Sequence, residues 1–152
     1  MFPFKKILVP TDFSEPSLCG LKMANEMAKK FGSEIILVNV HKPIPSLPSP
    51  RVEASEVTFD ISAYTEHVAD DARANLARFS ESIFAEEITP RLVVRMGRPP
   101  VEILKVAEEE NVDAIFIATH GRTGLAHIVF GSVAERVVRQ AKCPVMTIRA
   151  CD

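Results

Sequence analysis

Tryptophan is absent from this chain and tyrosine occurs once, so its 152 residues absorb little near 280 nm. Cysteine is scarce: Cys19, Cys143 and Cys151 are odd in number and form no CxxC pair. An even disulfide framework of the kind small secreted domains use is thereby excluded, and a reducing cytoplasm is expected. Cys19 falls in a helical pattern and Cys143 near a strand start, where each reads as a small hydrophobe, and Cys151 reads as an exposed thiol. An excess of one charge sign is also missing. Eighteen Lys and Arg against twenty Asp and Glu leave a net charge of −2, which removes the electrostatic reason to expect nucleic acid or an anionic membrane as main partner. No apolar run approaches the ~20 residues of a membrane span, the longest being 35–38 and 114–118. The opening Met1-Phe2-Pro3-Phe4-Lys5-Lys6 has no long apolar segment after its charges, so no signal peptide is expected.

What is present is a globular balance, 47% hydrophobic and 25% charged. At this length one core hides roughly 68–70% of the unfolded surface without a staple, and residues 1–152 are expected to form a single domain. Short Ile/Val-rich runs at 6–10, 34–40, 91–95, 113–118 and 144–148 predict five strands. The second and fourth are nearly unbroken apolar runs, as strands covered on both faces are. Four helices are predicted between them. The first opens at Ser14 as N-cap, places Leu18, Leu21, Ala24, Ala28 and Phe31 on one stripe, and stops at Gly32. The second covers about 62–84, the third follows Gly97-Arg98-Pro99-Pro100, and the fourth begins near Gly131-Ser132. Strands alternating with helices predict an α/β fold, an open doubly wound parallel sheet of five strands and four helices. Residues 41–61, with Pro43, Pro45, Pro48 and Pro50, read as a Pro-rich loop, either functional or a spacer.

Ligands of such sheets bind outside the carboxyl ends of the strands, where chain order reverses. After the fourth strand come Thr119, His120, Gly121, Arg122, Thr123 and Gly124, and Gly131-Ser132 then opens a helix. Three of the six glycines fall in this connection. Glycines let backbone N–H groups approach an anion, and a helix start adds unpaired donors and positive dipole. Two readings are open: a phosphate site aided by Ser132, His120, Arg122 or His127, or a plain connection in which Ser132 caps its own helix. The loop is neither a Walker loop nor GxGxxG. Asp12, just past the first strand, either holds a ribose or adenine edge, shares a divalent cation with phosphates, or is a turn residue before Ser14. The four histidines show no zinc spacing with the cysteines, and no GxSxG elbow occurs.

Three segments together resemble the universal stress protein family. They are Lys6-Ile7-Leu8-Val9-Pro10-Thr11-Asp12-Phe13-Ser14, then 118–124 continuing to Phe130-Gly131-Ser132-Val133-Ala134-Glu135-Arg136-Val137, and Cys143-Pro144-Val145-Met146-Thr147-Ile148. The ATP-binding branch of that family carries Gly, two residues, Gly, nine residues, then Gly-Ser or Gly-Thr. Here Gly121 and Gly131-Ser132 match, and Ala118 replaces the first glycine. The resemblance implies a Rossmann-like, adenine-nucleotide-binding fold and a nucleotide-responsive regulatory module in stress response. It implies no dedicated enzyme; a slow ATPase or a nucleotide-free dimeric interaction protein are the alternatives. Pro10, Thr11 and Asp12 would lie beside the adenosine and Val40 against adenine. Ala118, Thr119, Gly121, Arg122 and Gly124 would line the ribose and phosphate path, and Gly131, Ser132 and Val133 would hold the phosphates. ATP or another adenine nucleotide is the implied ligand, with Mg or Mn reaching the protein at most through Asp12. A homodimer through strand 144–149 is implied, without nucleic acid or membrane insertion.

Overall fold

The computed structural model describes residues 3–42, 61–84, 86–119 and 131–149, without the side chains of 61–66. Its elements run β1 (Lys6–Pro10), α1 (Glu15–Phe31), β2 (Glu34–His41), α2 (Ile61–Glu81), β3 (Arg91–Met96), α3 (Pro99–Glu109), β4 (Ala114–Ala118), α4 (Ser132–Gln140) and β5 (Val145–Ile148). All strand pairings are parallel, in the order β3-β2-β1-β4-β5. The expected doubly wound sheet of five strands and four helices is therefore found. Most boundaries move by a residue or two. β2 and β3 each gain one residue, where the Gly97 N–H donates to the His41 carbonyl at 2.8 Å. α2 stops at Glu81 instead of Phe84, because the Ser80 carbonyl accepts the N–H groups of both Ile83 and Phe84 and tightens the turn.

Period two along the strands sorts the core into two layers. Ile7, Val9, Ile35, Leu37, Ala114 and Phe116 face α1 and α2, burying Leu21, Ala24, Ala28 and Leu76. Leu8, Ile36, Val38, Ile115 and Ile117 face α3 and α4, burying Ile103, Val106, Ala134 and Val137. Phe31 departs from the expected stripe: it lies about 80° around the helix from Leu21 at 3.6 residues per turn, and is 37% exposed under the Lys30 ammonium. Ser14 occupies the N-cap without a side-chain cap bond, its hydroxyl donating to Asp12 Oδ1 instead. Gly32 closes α1 in the left-handed conformation, at φ +68.

Cys19 is buried as expected of a small hydrophobe, but its sulfur is held in a disulfide. Cys143 is the free cysteine among the described residues, and Cys151 lies outside them. No helix among the described residues is long and apolar enough to cross a membrane.

Gly20 lies mid-helix against the sheet. A Cβ there would meet the Phe116 carbonyl and Val9 Cγ1 at 3.7 Å, ordinary contact distances. The cavity already fits a methyl group, and alanine is the better helix former by about 0.8–1.0 kcal/mol. Gly20→Ala should thus raise the urea midpoint of unfolding, by about 0.5–1 kcal/mol of stability; a lowered midpoint would show that α1 cannot sit this close with a side chain.

Candidate functional site

Strand order reverses between β1 and β4, which lie side by side, with β2 beyond one and β5 beyond the other. The crevice outside their carboxyl ends receives Thr11 and Asp12 from one strand and Thr119 from the other. Pro10 and Ala118 are the last residues of these strands, and Val40 lies near the end of neighbouring β2, packed on the α3/α4 layer. The Thr119 N–H donates to the Ile148 carbonyl at 2.9 Å, and its own carbonyl accepts the Gly131 N–H at 2.6 Å. That bond draws the start of α4 to the crevice. Pro10, Thr11, Asp12, Val40, Ala118, Thr119, Gly131, Ser132 and Val133 are therefore grouped at one end of the sheet. Gly121, Arg122 and Gly124, with His120 and His127, lie outside the described residues.

The three helix starts with described side chains differ in what they offer an anion. At α1, Pro16 has no N–H, the Ser17 N–H is taken by the Ser14 carbonyl at 3.0 Å, and Glu15 adds a negative charge. At α3, Pro99 and Pro100 lack donors and the Val101 N–H is taken by the Arg98 carbonyl at 3.0 Å. At α4 the ladder begins with the Glu135 N–H on the Gly131 carbonyl. The N–H groups of Ser132, Val133 and Ala134 have no acceptor among the described residues. Three unpaired donors at the positive end of a helix dipole suit an anion, and they lie at the topological switch.

The detail of that helix start departs from the sequence reading in three places. Gly131, not Ser132, is the N-cap, so Ser132 does not cap its own helix. The Gly131 N–H is spent on Thr119, and its lack of a side chain serves close approach: a Cβ would lie 3.0 Å from the Thr119 carbonyl oxygen. Ala134 joins the donors, a contribution invisible in sequence because it is a backbone one. Val133 turns its side chain to the α3/α4 core and likewise offers only its N–H. Thr11 is buried, with its hydroxyl 2.9 Å from Ser17 Oγ. The same hydroxyl oxygen accepts the Phe13 N–H at 3.1 Å.

Asp12 is held by its own turn, Oδ1 accepting the Ser14 N–H at 3.1 Å. No group of three or more His, Cys, Asp or Glu among the described residues could hold a metal ion. Among the described residues, a cavity of about 530 Å³ opens beside Phe13 and Phe79, and another of about 380 Å³ among Leu104, Val112, Ala141 and Cys143. Burial pushes the Cys143 thiol above the ordinary cysteine value, with the Asp113 charge acting the same way and a backbone hydrogen bond opposing.

The universal stress protein family profile matches residues 3–149. The chain belongs to the universal stress protein family. Universal stress protein MJ0531 of Methanocaldococcus jannaschii is 34% identical over 146 residues, 96% of this chain and 82% of the relative. The solved structure of MJ0577 from the same organism superposes with a TM-score of 0.69 at 28% identity, covering 97% of each chain. An Arabidopsis thaliana universal stress protein family protein, solved with AMP bound, has a TM-score of 0.62 at 19% identity and covers 97% of this chain and 92% of its own. At that identity the likeness is one of fold.

Proposed function

We propose that this universal stress protein binds ATP at the β1/β4 switch point and acts as a nucleotide-responsive regulatory module in stress response. The observation that carries the reading is the row of Ser132, Val133 and Ala134 N–H groups at the start of α4, which have no acceptor among the described residues, with Asp12 just past the end of β1. Donors of that kind suit phosphates, and a carboxylate just past β1 suits a ribose or adenine edge. The Arabidopsis relative, alike in fold, holds AMP, so the fold itself is compatible with an adenine nucleotide. If Mg²⁺ or Mn²⁺ accompanies the nucleotide, Asp12 is the carboxylate among the described residues that would help hold it, and the cation would lower the charge the donors must meet. Gly121, Arg122 and Gly124 complete the phosphate path in this proposal. Nothing in it calls for a nucleophile and base, so hydrolysis is at most slow. The cytoplasm enters from the odd cysteine count alone, and the Cys19 disulfide pulls against it.

Dimerisation through β5 belongs to the same proposal. Strand β3, the other sheet edge, carries Arg91 and Arg95, whereas β5 reads Val-Met-Thr-Ile with Met146 38% exposed. Val138, one position past Val137 on α4, is 43% exposed. An uncharged apolar edge is a pairing surface unless covered, and a second copy pairing with itself covers it.

Protein purified without added nucleotide, then denatured, should release an adenine nucleotide identifiable by mass spectrometry. With no tryptophan and one tyrosine, bound adenine would already dominate the ultraviolet spectrum. Light scattering on the same preparation should give twice the chain mass. An empty protein that also ignores millimolar Mg-ATP in a titration would sink the nucleotide reading. It would favour a nucleotide-free interaction protein, for which the Ala118 departure from the glycine motif is the supporting observation.

A further inference from the structure

We propose that Asn39 is a positioning residue for the nucleotide cleft, holding from inside the sheet the turn that presents Asp12; the inference rests on the nucleotide reading above. Strand β2 reads Ile-Ile-Leu-Val before it and Val after it, and Asn39 is 4% exposed among them. A buried amide at such a place is unfavourable unless its groups are paired. Only one side is. Asn39 Nδ2 donates to the Thr11 carbonyl at 2.7 Å, while Oδ1 has no partner among the described residues. Valine or leucine would fill the position without an orphaned oxygen, so the single bond to Thr11 is the feature that explains the amide.

That bond falls where the β ladder gives out. The Thr11 N–H still donates to the Val38 carbonyl at 2.9 Å, the last backbone bond of β1 to β2. Beyond it the chain is held by side chains: Phe13 N–H on Thr11 Oγ1 at 3.1 Å, Ser14 N–H on Asp12 Oδ1 at 3.1 Å, and Ser17 hydroxyl on the Ser14 carbonyl at 2.7 Å. Phe13 sits at φ +62, a left-handed conformation that a bulky residue keeps only where its surroundings over-determine it. Phe79 of α2 braces its ring edge-on at 5.3 Å. The carbonyl that Asn39 grips belongs to the peptide linking Thr11 to Asp12. Without the amide this peptide can rotate, and the Asp12 carboxylate turns with it. Asn39 touches no ligand in this account; it acts through Thr11.

The test is Asn39→Leu, read by Mg-ATP calorimetry and by hydrogen exchange of the Phe13 and Ser14 amides. Val106→Ala, in the α3 layer away from the turn, serves as a destabilised control. We expect Asn39→Leu to bind ATP about tenfold more weakly, with both amides exchanging at least about tenfold faster, the loss of one buried hydrogen bond setting the scale. Val106→Ala should lose stability yet keep affinity and those exchange rates. If Asn39→Leu does not fold, Asn39→Asp takes its place. Its carboxylate offers no donor at pH 8 and regains one as it protonates toward pH 5, so affinity relative to wild type should recover on acidification. A folded Asn39→Leu with wild-type affinity, or an Asn39→Asp ratio flat across pH, overturns the inference alone. Wild-type protein that takes up no ATP overturns the binding reading and this one with it.

Discussion

Gly131→Glu should strip the protein of nucleotide, lowering ATP affinity at least about a hundredfold while the circular dichroism of the helices stays unchanged. The backbone there is at φ −67, ψ 147, open to any residue, so the change brings no left-handed strain. A negative charge at an N-cap is favourable to the helix dipole, which keeps α4 folded. The new side chain's Cβ meets the Thr119 carbonyl oxygen at 3.0 Å, as any would, and the larger cost falls on the ligand. The new carboxylate stands at the helix start that carries the Ser132, Val133 and Ala134 N–H groups. Two unit charges 4 Å apart repel by about 4 kcal/mol at an effective dielectric constant of 20. A hundredfold loss needs about 2.7 kcal/mol, so the effect survives even if the side chain swings partly away. Gly131→Ala separates charge from bulk. Its Cβ would press on the Thr119 carbonyl oxygen at 3.0 Å, and affinity should fall about tenfold at most. Calorimetry on the folded variants decides, and wild-type affinity in Gly131→Glu would remove α4 from the site.

How far the site was legible in sequence follows from what each feature depends on. The strands and their order of alternation were written in local periodicity, because a parallel sheet covered on both faces needs unbroken apolar runs such as 35–38 and 114–118. The switch point then followed from topology, and with it the convergence of Asp12, Thr119 and Ser132. Errors came where a residue's role depends on what lies across from it. Ser14 looks like a cap by type, yet its hydroxyl turns to Asp12. By type and place Gly131 reads as a phosphate donor, but its N–H and its missing Cβ both serve contact with Thr119, twelve residues earlier. Asn39 is not legible in sequence, because a single polar residue in a strand has no local signature. Its partner Thr11 is 28 residues away in sequence. The prolines at the starts of α1 and α3 are visible as helix openers; that they leave fewer consecutive free donors there than at α4 is a comparison only the fold makes.

The largest loss of stability should come from Phe116→Ala. Phe116 is fully buried at the centre of β4, in the layer formed with Ile7, Val9, Leu21, Ala24 and Leu37, and Phe4 meets its ring edge-on at 6.2 Å between centroids. Truncating a buried phenylalanine removes its transfer free energy and leaves a cavity, together about 3–5 kcal/mol. The sheet limits relief by collapse, since β4 is pinned in register between β1 and β5. At about 2–4 °C per kcal/mol for a chain of this size, Tm should fall by roughly 6–20 °C. Binding should be spared in the molecules that remain folded, because Thr119 is held from outside this layer, by the Ile148 carbonyl and the Gly131 N–H. Excess Mg-ATP at a hundredfold over Kd would then return about 2.7 kcal/mol to wild type and variant alike. Thermal melts of both proteins with and without nucleotide test the two halves of this argument separately. A loss under about 1 kcal/mol would mean that α1 closes onto the sheet and fills the space. A Tm gain from ATP in wild type that vanishes in Phe116→Ala would mean that the core beneath β4, and not the crevice residues alone, sets the shape of the site.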